Sequence, residues 1–129
     1  MRLASLKAIA GILRAAKAKL TPETWAQGDY AFDADGNLCN PTSPKAVCFC
    51  AVGAVRSFDT NPKARIRAGV RRHTIIRLAE ERLDTAAEDI GGFTVMDPEK
   101  SPAAWLNDHT DLPTVHRMFD MAIEATGVT

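Results

Sequence analysis

Pro44-Lys45-Ala46-Val47-Cys48-Phe49-Cys50-Ala51-Val52-Gly53-Ala54 decides how this chain is read, because it places two cysteines and a glycine in one apolar run. Ser43 followed by Pro44 matches a helix start, with serine as the cap and proline in the first helical position. On that reading one helix runs to about Phe58, with Val47, Cys50, Ala51, Ala54, Val55 and Phe58 on a single face. Asp59-Thr60-Asn61-Pro62 ends it. Cys50 then falls in the second turn on the buried stripe, with Cys48 on another face. Gly53, lacking a side chain, lets another helix approach closely.

The flanking segments carry the same helical signature. Leu3, Leu6, Ile9, Leu13, Ala16 and Leu20 recur at helical spacing and predict a first helix from about Arg2 to Leu20. Thr21-Pro22-Glu23-Thr24 stops it. Ala34-Asp35-Gly36, between Tyr30-Ala31-Phe32-Asp33 and Asn37-Leu38-Cys39, is a hairpin signal. Asp33, Asp35 and Asn37 match the first ligand positions of a calcium loop. The glycine and closing glutamate of that loop would fall on Leu38 and Pro44, which excludes calcium.

A long helix is expected from near Asn61 to about Asp89, with a bend or break at Gly69 and a stop at Gly91-Gly92. Phe93-Thr94-Val95-Met96 reads as a short extended piece. Ser101-Pro102 starts a brief helix through Trp105 and Leu106. After Asp111, Leu112, Val115, Met118, Phe119, Ala122 and Ile123 predict the last helix, closed by Gly127. The sum is a mainly α fold: a compact bundle of four to five helices with a small β-hairpin near residues 29–40, in one domain over 1–129.

Composition agrees with this class. The chain has 129 residues, 46% hydrophobic and 25% charged, enough for one core. Only 6% is aromatic, so Ala, Val, Ile and Leu must build that core. The formal net charge is zero, but residues 1–77 hold 13 Lys/Arg against 5 Asp/Glu, and residues 78–129 hold 3 against 11. Two readings follow. Basic and acidic helices lie side by side and compensate, or the basic run including Arg65, Arg67, Arg71 and Arg72 is a surface for nucleic acid or an acidic protein. The neutral whole favours compensation. Three cysteines without a secretory signal before them predict reduced thiols in a cytoplasm. The apolar run Ala8–Leu13 is too short to span a membrane.

The residues able to carry chemistry are few. Cys50 is a candidate nucleophile, with His109 or His116 as base and Asn107 or Asp108 to orient it. A cysteine deep in an apolar stripe is more often core filling. Cys48 and Cys50 are one residue apart, against the two to four of structural zinc pairs, so no metal site is expected. Asn107-Asp108-His109-Thr110-Asp111 is either a ligand loop or a pair of helix caps, and capping is the more frequent use of such residues. Trp25, with Gln27 beside it, either stacks on a ring or plugs the core with its N–H bonded. No phosphate-cradling glycine loop and no GxSxG elbow is present, and no cofactor is expected.

Three landmarks in order, Trp25-Ala26-Gln27-Gly28, Cys50-Ala51-Val52-Gly53-Ala54, and Asn107-Asp108 leading to Phe119-Asp120-Met121-Ala122-Ile123, resemble a small uncharacterised family of bacterial and phage proteins, a domain of unknown function. The resemblance spans most of the chain and implies a stand-alone accessory protein with no assigned activity.

The sequence therefore points first to a non-enzymatic accessory or interaction protein. Its partner would be a host or phage protein, with Trp25, Gln27, Asn107, Arg65, Arg67, Arg71 and Arg72 as interaction residues. The alternatives are a cysteine-dependent hydrolase or transferase using Cys50, and a nucleic-acid-binding protein using a basic helix over 63–77.

Overall fold

In the computed structural model, which describes residues 1–65, 69–91 and 99–128, five helices surround one core and a two-stranded sheet flanks them. Helix α1 (Leu3–Lys19) buries Ile9, Leu13 and Ala16 of the predicted stripe, with Ala10 beside them, whereas Leu3 at its start is exposed; Lys17 and Lys19 stand at its negative end. Strand β1 (Ala31–Phe32) pairs antiparallel with β2 (Cys48–Phe49), Ala31 opposite Phe49 and Phe32 opposite Cys48. The expected hairpin is present as a tight turn on the other side of β1. Phe32 and Leu38 form a bridge, and the Asp33 carboxylate accepts from the Asp35 and Asn37 amides, each over 2.9 Å.

The segment from Pro44 departs from expectation. Residues 44–50 are not helical; Val47-Cys48-Phe49 is extended and bonded on both edges. The Val47 amide donates to Phe32 O over 2.9 Å, and Phe49 exchanges bonds with Thr24 O and the Ala26 amide. A β-branched and aromatic run finds strand partners on two sides, and that pairing outweighs the Ser-Pro start signal. Helix α2 is only Ala51–Arg56, and Cys50 is its N-cap. Cys48 and Cys50 are therefore not two faces of one helix.

A second correction concerns residues 63–77, which are not one helix. The Arg65 and Arg71 backbones form an antiparallel bridge, the Arg72 amide donates to Ala64 O over 2.7 Å, and Gly69 adopts φ +77°. A left-handed glycine ends helical continuity, so helix α3 begins at Arg72 and runs to Gly91. Arg67 and the extended piece expected at Phe93–Met96 lie outside the described residues.

Helices α4 (Pro102–His109) and α5 (Leu112–Glu124) start as read, capped by Ser101 and Asp111, with proline in the first turn of each. The Asp84 carboxylate of α3 accepts from the Ala103 amide over 3.0 Å and ties α4 to the bundle. Phe119, Met118, Leu106, Ile75, Ile76, Leu83 and Val55 are fully buried at the centre.

Candidate functional site

The three sequence landmarks meet at one place, and Asn107 is its hub. Asn107 lies within α4 and is fully buried. A buried amide must satisfy its oxygen and its two N–H groups. Its Oδ1 accepts from the Trp25 indole N–H at 2.7 Å and from the Ala51 amide at 3.0 Å. Its Nδ2 donates to Ala26 O at 2.9 Å and to Asp108 Oδ1 at 3.3 Å. Thus Asn107 does not cap its own helix. It caps α2 from outside, by taking the first amide of that helix.

The loop over 25–28 is held from both ends. Gln27 Nε2 donates to Asn107 O and Thr110 O, each at 3.1 Å. The Gly28 amide donates to Asp108 Oδ1 at 2.9 Å. The other carboxylate oxygen of Asp108 pairs with Lys100. Burial pushes the Asp108 carboxyl up, but bonds from Lys100, Gly28 and Asn107 outweigh it and hold it below its ordinary value. Asp108 is therefore an ionised structural acceptor at neutral pH.

Cys50 borders this junction. Its Sγ accepts from the Gly53 amide at 3.3 Å, the usual bond of an N-cap side chain. A cap position at the positive end of a helix lowers a thiol pKa when solvent reaches it. Here the residue is 4% exposed. Desolvation wins over the Gly53 and Val52 amides and pushes the thiol up to about 11. Cys50 shares a small cavity of about 200 Å³ with Tyr30, Lys100, Asp108 and Gly28.

Gly53 packs directly under the chain at Tyr30, whose carbonyl accepts from the Cys50 amide at 3.2 Å. A Cβ built on Gly53 would stand 1.8 Å from that oxygen. The close approach read from sequence is real, although its partner is a loop backbone and not a helix.

The other candidate residues lie apart from the thiol's bonds. His109 bonds Trp105 O at 2.8 Å and stacks on the Trp105 ring at 4.2 Å. His116 bonds Leu20 O at 2.8 Å. Arg65 and Arg71 are exposed and Arg72 is half-buried, at the far end of α3 from its acidic last turns. Among the described residues, no three His, Cys, Asp or Glu side chains come together to hold a metal ion, and no helix is long and apolar enough to cross a membrane.

Sequence reasoning did not find Lys100, Tyr30 or Lys19. Lys19 Nζ sits 4.7 Å from the Phe49 ring centroid and 4.6 Å from that of Phe58, and it donates to Ser57 Oγ. No pattern in sequence marks such a lysine, because its partners come from two segments distant from it in sequence.

No curated protein and no solved structure matches the chain. A family model, described as a family of unknown function (DUF6197), matches residues 4–125.

Proposed function

The chain belongs to this family of unknown function, and we propose that it is a non-enzymatic accessory protein of a bacterium or phage that acts by non-covalent association with another macromolecule. The observation that carries the reading is the state of Cys50. A thiol titrating at about 11 presents a thiolate fraction near 10⁻⁴ at pH 7. Its cap bond is to a backbone amide, while both candidate bases bond backbone carbonyls elsewhere. The polar groups of the landmarks bond one another, as a structural junction requires. The three free thiols suit a reducing cytoplasm.

Alkylation of the folded protein with iodoacetamide at pH 7.4, resolved by peptide mass spectrometry, tests the reading. Cys39 and Cys48, both partly exposed, should label before Cys50, which should label only on unfolding. Cys50 labelling fastest in the folded state would overturn the reading and favour a cysteine nucleophile.

A further inference from the structure

We propose that the basic end of the molecule, Lys63, Arg65 and Arg71 continued by Arg77 on α3, is a docking surface for the phosphate backbone of a nucleic acid. It goes beyond the non-enzymatic reading, which stands whether or not this surface binds.

The first observation is the Arg65–Arg71 bridge. Backbone pairing sets two arginines directly opposite each other, an arrangement that disfavours the fold because like charges face across the ladder. Both residues are exposed, as are Lys63 and Arg77. None of the four forms an ion pair among the described residues. Residues 60–79 contain no Asp or Glu at all. Of the neighbouring acids, Asp59 pairs with His73 at 2.8 Å and Glu80 with Arg56 at 3.0 Å, while Glu81, one turn beyond Arg77, is exposed and bears on Arg77 but not on Lys63, Arg65 or Arg71.

The second observation is the charge order along α3. Its first turn has no acid and begins with Arg72, while its last turn has no base and holds Glu88 and Asp89. This order opposes the stabilising one, in which acids sit at the N-terminus and bases at the C-terminus. Arg72 and Asp89 are separated by about 25 Å of helix. That distance is beyond the screening length of about 8 Å at physiological salt, so the acidic end does not cancel the field at the basic end. Side-by-side compensation operates between α1 and α5, through Lys17 and Asp120 at 2.7 Å, and between α2 and α3, through Arg56 and Glu80, but reaches none of Lys63, Arg65 or Arg71. A local sequence that works against stability in two ways marks a place kept for binding.

The chemistry selects phosphate over an acidic protein. Protein interfaces are centred on apolar and aromatic anchors. The exposed large apolar residues of the described chain are Met1, Leu3, Tyr30, Leu38 and Val47, none of them in the basic segment. Guanidinium groups match phosphate oxygens in pairs.

The test is fluorescence anisotropy of a labelled 20-base-pair DNA duplex and its single strand from 20 to 200 mM KCl. The wild type, Arg65→Glu/Arg71→Glu and Arg65→Lys/Arg71→Lys are compared. The wild type should bind at low salt with a log–log salt slope of about −3, as three to four phosphate contacts require. The glutamate pair should weaken binding at least about tenfold and flatten the slope to about −1, whereas the lysine pair should stay within about threefold. If the glutamate pair fails to fold by circular dichroism, Lys63→Glu/Arg77→Glu takes its place with the same expectation. The proposal is overturned by no salt-dependent binding of either DNA by the wild type, or by equal binding in a folded glutamate variant. It is also overturned by binding to poly-glutamate as tight as to DNA, or by salt-sensitive self-association in place of DNA binding.

Discussion

The indole N–H of Trp25 donates to the side-chain oxygen of Asn107 at 2.7 Å, across 82 positions of sequence. The same oxygen takes the first amide of α2. One buried amide therefore joins the loop after α1, the start of α2 and the middle of α4. The three landmarks, far apart in sequence, are three sides of one hydrogen-bonded junction.

Gly53 has no room for a side chain. Alanine there would drive a Cβ to 1.8 Å from Tyr30 O and 2.7 Å from its carbonyl carbon. Both are backbone atoms, so relief requires moving the chain that also bonds the Cys50 amide. Gly53→Ala should lower stability by about 3 kcal/mol, at the upper end for overpacking. Urea unfolding followed by circular dichroism measures it, and a change below about 0.5 kcal/mol would show that the loop yields freely.

Cys50 makes stability depend on alkaline pH. Its thiol titrates at about 11 in the folded chain against an ordinary value of 9.0. The folded value is the raised one, so the unfolded state loses its proton first. The neutral buried thiol contributes fully below pH 9, and that contribution is lost as pH rises from 9 through about 11. The expected loss is about 2–3 kcal/mol. Urea midpoints between pH 8 and 11 should fall more steeply for the wild type than for Cys50→Ala. Parallel profiles would contradict a buried thiol.

Lys19 holds its ammonium between two rings, and burial lowers its pKa. Its depressed folded value means that the charged form is disfavoured by folding, so its penalty eases as pH rises toward the unfolded value of 10.5. Lys19→Met should keep the packing on Phe49 and Phe58 and change stability by less than about 1 kcal/mol. Lys19→Ala should cost about 1–2 kcal/mol by emptying the slot. Thermal melts of the two variants separate packing from charge.

The helices legible in sequence were those whose stripe and caps agree. The Ile9-Leu13-Ala16 stripe marks α1, and Asp111 with Pro113 and the Val115-Met118-Phe119-Ala122 stripe marks α5. Pro44–Phe58 misled because its start signal is local and its strand pairing is not. Nothing near Val47 announces that Phe32 and Thr24 will bond its neighbourhood. Gly69 hints at the break before α3, but only the backbone pairing of Arg65 with Arg71 decides it. Residue type alone reads Asn107 as an interaction residue or as the end of its own helix, and neither reading contains its bonds to Trp25 and Ala51. Its partners Trp25, Ala26 and Ala51 lie at least 56 positions away, and single-sequence spacing carries no record of them. The apolar stripe leaves Cys50 open between core and nucleophile; it is buried, as a helix cap and not as a second-turn residue.

Asn107 offers the most direct test of the account. Asn107→Ala would leave the Trp25 indole N–H, the Ala51 amide and Ala26 O without these bonds at a buried site. Each such loss costs about 1–3 kcal/mol, and the three are not additive. Urea unfolding of Asn107→Ala should show a loss of about 3–5 kcal/mol, with Trp25 fluorescence shifting as its partner is removed. A variant as stable as the wild type would contradict the claim that the junction of the three landmarks holds the fold together.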